Sequence, residues 1–194
     1  MGFQHEKLLV EMLKVLDLQD LKASISGVFK HGTVSTVQLC STLTSPEEIN
    51  WFIGQFIDKD KGLMSLKDSQ GNTIVHHAAY FRNINLLEAL IGKGAKLNTV
   101  NEKGNNPLHL AVATKRNNQL EMPKVENLLI NSCPELLVMA NKEIHTPLMV
   151  ALLQASESKS DPINVVKVML DSKFGAKVIA MGDSFGNLPL HIAA

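Results

Sequence analysis

The sequence predicts an all-α fold: a solenoid of stacked helix-turn-helix units entered through a helical N-terminal cap. Three observations predict it. A turn headed by Asp or Asn, followed by an apolar helix start, recurs four times between residues 68 and 194. Each of the first three copies is followed by a second stretch with apolar residues at helical spacing. Self-similarity at such a period is the mark of a repeat array, in which each unit buries its face on the next.

The elements follow in chain order. Residues 6–29 place Leu8, Leu9, Met12, Leu13 and Leu16 on one helical stripe. Gly32-Thr33 reads as the remnant of a decayed unit. A helix start is written at 45–48: Ser45 caps, Pro46 takes the first helical position, and Glu48 completes a capping box. Ile49, Phe52, Ile53, Phe56 and Ile57 form the buried stripe of that helix. Residues 1–66 are therefore expected to be a helical cap ending in a degenerate helix pair.

Four segments then superimpose: DSQGNTIVHHAA (68–79), NEKGNNPLHLAV (101–112), NKEIHTPLMVAL (141–152) and DSFGNLPLHIAA (183–194). Their anchors, Gly71, Gly104, Ile144 and Gly186, are 33, 40 and 42 residues apart. Asp68, Asn101, Asn141 and Asp183 can hydrogen-bond the backbone of a tight turn, and glycine supplies positive φ at its exit. Proline pre-sets φ for the first helical turn in three of the four copies. The second helices are expected over 84–97, 123–137 and 163–179, with Gly92 and Gly94 ending the first. Two polar insertions, TKRNNQLEM and QASESKSD, lengthen the later periods and read as loops.

These residues resemble the ankyrin repeat family, whose unit carries a Thr-Pro-Leu-His-x-Ala signature. The copies here read TIVH, NPLH, TPLM and LPLH, and Arg82-Asn83 stand where the family has a Gly-His pair after the inner helix. The array is expected to occupy 67–194, as repeats over about 67–100, 101–140 and 141–182 and an incomplete one at 183–194. Because the last copy ends within its first helix, the sequence is expected to be a piece of a longer chain.

Composition narrows the function classes. Nineteen basic residues balance nineteen acidic ones, which is not the footprint of a nucleic-acid binder. No apolar run approaches the roughly 20 residues that span a bilayer, and the N-terminus lacks a signal-peptide layout. Cys40 and Cys133 read as buried reduced thiols, so an intracellular, cytoplasmic setting is expected. The DKDKG stretch at 58–62 fails the calcium-loop pattern, since its Gly comes one position early and Ser69 stands where the bidentate Glu belongs. Histidines at 76, 77, 109 and 191 lack Cys or carboxylate partners at ligand spacing. No metal, cofactor or catalytic residue is expected.

The remaining function is binding of another protein by a monomer. The resemblance implies a partner engaged by the turn tips and by the exposed side of the inner helices. Carried over position by position, it selects Ser69, Gln70 and Asn72, then Glu102, Lys103 and Asn105, then Lys142, Glu143 and His145, then Ser184, Phe185 and Asn187. Tyr80, Phe81 and Arg82 add the aromatic and Arg mix that is enriched in interface hot spots. Lys115 and Arg116 in the first insertion would add a basic rim. A rival reading makes this chain the substrate-recruiting part of a larger enzyme or effector whose catalytic domain lies beyond Ala194. Seventeen lysines, fifteen asparagines and only two arginines also resemble host-directed bacterial effectors, which would place the protein inside a host cell.

Overall fold

A computed structural model of the chain describes residues 43, 45–114, 123–158 and 162–194. The expected helix at 6–29, the Gly32-Thr33 remnant, Cys40, Lys115 and Arg116 lie outside these residues. The chain divides into two compact units, Met1–Lys96 and Leu97–Ala194. Among the described residues all regular structure is helical.

In the first unit, α1 (Pro46–Phe52) starts at the capping box read from the sequence. Ser45 Oγ accepts the Glu48 amide, and Glu48 Oε2 accepts the Ser45 amide, both at 3.2 Å. The helix widens into a π-turn over Ile53–Ile57, closed by the Asp58 amide on the Ile53 carbonyl at 2.9 Å. Its apolar stripe is buried, with Phe52 and Ile57 fully so. A single 3₁₀ turn, Lys61–Ser65, leads into the first repeat.

The first repeat pairs α2 (Ile74–Tyr80) with α3 (Ile84–Gly92). Asn83 joins them. Its Oδ1 caps α3 on the Leu86 amide at 3.1 Å, and its Nδ2 donates to the Leu43 carbonyl. Gly94, at φ 86°, supplies the left-handed residue that ends α3, whereas Gly92 remains in the helix. The helix is thus shorter than the expected 84–97.

The second unit repeats the scheme with α4 (Pro107–Ala113) and α5 (Lys124–Ser132), α6 (Pro147–Ser158) and α7 (Ile163–Leu170), and α9 (Pro189–Ala193). Proline occupies the first position of α4, α6 and α9, as the sequence predicts. Inner helices α4, α6 and α9 stack in succession, and α5 and α7 form the outer layer.

Three further expectations need correction. The stretch 123–137 is not one helix: it breaks at Cys133 (φ −152°), and Pro134–Val138 is a 3₁₀ turn. Likewise 163–179 breaks after Leu170, and α8 (Gly175–Ile179) begins against the Leu170 carbonyl, where a Cβ on Gly175 would not fit. The second insertion is not wholly a loop, since α6 continues through Gln154–Ser158. Gln154, Ala155 and Glu157 are residues of good helix propensity, and the stretch extends an existing helix.

Candidate functional site

Each of the four turns is built by one side chain. Asp68 Oδ1 accepts the amides of Gln70 and Asn72 at 2.9 and 2.8 Å. Asn101 Oδ1 accepts those of Lys103 and Asn105, and Asn141 Oδ1 those of Glu143 and His145, all at 3.0 Å. Asp183 Oδ1 accepts the amides of Phe185 and Asn187 at 2.8 Å. A backbone bond closes every turn, from the first residue's amide to the fifth residue's carbonyl, at 2.9–3.0 Å. The Oδ1 of the first residue is thereby committed to its own turn, and the second and third residues are exposed.

The fourth residue takes left-handed φ: 76° at Gly71, 77° at Gly104, 80° at Gly186 and 61° at Ile144. Only the last departs from glycine, which the sequence alignment showed without showing the strained backbone. Arg82 also has left-handed φ, 57°, at the position of the family's glycine after the inner helix.

Behind the turns sits the histidine of the repeat. His76 Nδ1 accepts the Thr73 amide at 3.2 Å, His109 Nδ1 the Asn106 amide at 3.2 Å, and His191 Nδ1 the Leu188 amide at 3.1 Å. An acceptor Nδ1 leaves the proton on Nε2 in the neutral ring. Asn106 returns the favour to His109, accepting its amide at 3.1 Å, and donates through Nδ2 to the Leu136 carbonyl at 3.0 Å. Burial pushes His109 down to about 4, partly offset by the His145 carbonyl it bonds. In the third repeat Met149 replaces the histidine, and Thr146 Oγ1 caps the helix by accepting the Met149 amide at 3.4 Å.

The sequence-selected residues divide by exposure. Ser69, Gln70, Glu102, Lys103, Lys142 and Glu143 are exposed at the tips, as are Ser184, Phe185 and Asn187. Asn72 is buried against expectation, because it packs behind the turn and its amide group reaches Asp68 Oδ2 at 3.4 Å. Asn105 and His145 are half-buried: Asn105 Oδ1 accepts Asn141 Nδ2 at 2.9 Å, and the His145 carbonyl serves His109. Tyr80 is 45% exposed and stacks edge-on against Phe81, centroids 5.1 Å apart, while Phe81 and Arg82 are half-buried. Cys133 is half-buried too and sits 3.6 Å from Glu135 Oε2, not among apolar groups alone; burial first and then this carboxylate push its thiol up.

A family model for ankyrin repeats, in three copies, matches residues 38–125. The chain carries ankyrin repeats. Its fold is the all-α ankyrin solenoid, and ankyrin repeats are typically non-catalytic modules that bind other proteins. The match reaches back to residue 38, into the stretch read as a degenerate unit, and stops in α5. Beyond it, the turns at 141 and 183 reproduce the hydrogen bonds of the two before them. Among the described residues no helix is long and apolar enough to cross a membrane.

Proposed function

We propose that this chain is a non-catalytic interaction module that binds a partner protein through its turn tips and inner-helix surface. One observation carries the reading. All four turns share a single hydrogen-bond scheme, yet the two outward positions differ in each: Ser-Gln, Glu-Lys, Lys-Glu and Ser-Phe. A constant frame with varied exposed side chains suits recognition, whereas a catalytic constellation needs residues converging on one point. Tyr80, Phe81 and Arg82 extend the surface in the first unit. The reading includes a reducing, cytoplasmic setting, which suits the free thiol of Cys133.

The test is capture from a eukaryotic lysate by the wild-type chain and by a variant with Tyr80, Phe81, Arg82, Lys103 and Lys142 changed to Ala. Circular dichroism establishes that the variant folds. A partner held by the first and lost by the second supports the turn-edge reading; equal capture by both refutes it.

A further inference from the structure

The second and third turns are tied by three hydrogen bonds. The Lys142 amide donates to the Lys103 carbonyl at 3.0 Å, Asn141 Nδ2 to Asn105 Oδ1 at 2.9 Å, and His109 Nε2 to the His145 carbonyl at 3.0 Å. Among the described residues, none of these has a counterpart between the third and fourth turns. Three substitutions account for it. Met149 replaces the histidine and has no proton to donate. Asp183 replaces the asparagine, and its carboxylate only accepts, with Oδ2 engaged by Asn187 Nδ2 at 3.0 Å. Ile144 brings a Cβ to the fourth turn position; at Gly104, a Cβ would stand 2.7 Å from the Lys142 amide nitrogen that makes the inter-turn bond.

The same junction carries two exposed apolar side chains, Ile144 at 47% and Phe185 at 86%. A β-branched residue in left-handed backbone is a costly choice where three sister turns use glycine. Strain kept at one position of a repeated frame points to a use for the side chain that glycine lacks. Glu143 and Ser184 are exposed residues, and the bond that the Lys103–Lys142 pattern would make between them is not formed, which leaves that carbonyl and that amide to another donor and acceptor. The neighbouring charges are mixed, Lys142 against Glu143 and Asp183, which fits neither nucleic acid nor an anionic membrane.

Resting on the binding reading above, we propose that the junction of the third and fourth turns accepts an extended segment of a partner protein. An apolar side chain of that segment sits on Ile144 and Phe185, and its backbone bonds the Ser184 amide and the Glu143 carbonyl. A displayed library of random linear peptides, panned on the whole 194-residue chain, tests this. Selected peptides should share an apolar anchor. Their affinity should fall by about tenfold or more for Ile144→Gly and for Phe185→Ser, and hold for Ile163→Ser on the outer helix α7. N-methylation beside the anchor should weaken them as well. Ile144→Gly should melt no lower than wild type, so its loss of binding is not loss of fold. Peptides indifferent to Ile144→Gly and Phe185→Ser overturn the proposal; if Tyr80→Ala abolishes their binding instead, the broader binding reading survives. A concentration-dependent dimer abolished by Phe185→Ser assigns the patch to a second copy and also overturns it. Panning that yields no binder counts against both readings.

Discussion

His109 Nε2 lies 3.0 Å from the carbonyl oxygen of His145, a residue 36 positions along the chain in the next turn. With Nδ1 accepting from Asn106, both ring nitrogens are committed in the neutral form. Burial holds the folded pKa at about 4, below the ordinary 6.5. The unfolded chain therefore takes up a proton first as pH falls. Stability from this site is complete above 6.5 and is lost progressively down to about 4, by at most roughly 3 kcal/mol. Thermal melts across this window should show the slope, and His109→Met, borrowing the residue of the third repeat, should flatten it while lowering stability near pH 7.

Gly104 and Ile144 occupy equivalent turn positions with opposite consequences for substitution. Gly104→Ala combines left-handed φ with a backbone clash against Lys142, and should cost more than the ~1 kcal/mol of the conformation alone. Ile144→Gly relieves the same conformation and should gain about 1 kcal/mol, less the added entropy of an unfolded glycine. Denaturant midpoints moving in the same direction for both variants would refute the strain argument.

Arg82 and Asn83 hold the sharp joint between α2 and α3. Arg82→Gly should stabilise the first unit by about 1 kcal/mol by accommodating φ 57°. Asn83→Ala should lower stability by about 1–2 kcal/mol, since it removes both the α3 cap and the bond to the Leu43 carbonyl. Urea unfolding at constant m-value separates the two effects.

Asp68 differs from its counterparts Asn101 and Asn141 by also reaching His77 Nε2, at 2.7 Å. Burial would raise its pKa, but the amides of Asn72 and Gln70 and the His77 ring together hold it below the usual 3.8. A depressed carboxyl contributes stability above 3.8 that is lost as pH falls below it. Asp68→Asn keeps an oxygen for the two amides, so it should cost only about 1 kcal/mol near neutral pH. The decisive readout is the acid limb of the stability profile below pH 3.8, which should be shallower in the variant.

Local signals were the most legible. The Ser45-Pro46-Glu48 start, the proline at the head of α4, α6 and α9, and the Asp or Asn opening each turn were readable because each acts on backbone within four residues. Helix ends were read poorly. Apolar periodicity continues through Cys133-Pro134 and through 171–174, so two broken segments look unbroken in sequence. Asn72 and Asn105 were read as partner-facing because their positions are loop-like; the side chains turn back to Asp68 and Asn141 instead.

By itself, the sequence determined the repeat, its turn chemistry and the helix starts, because these depend on neighbours along the chain. It could show that Ile144, Met149 and Asp183 depart from their counterparts. Only the tertiary structure showed that all three departures fall on one junction and remove its three hydrogen bonds. Between the second and third turns, where they do form, those bonds join residues 36 and 39 positions apart, a distance at which stacking, rather than local propensity, decides which groups meet.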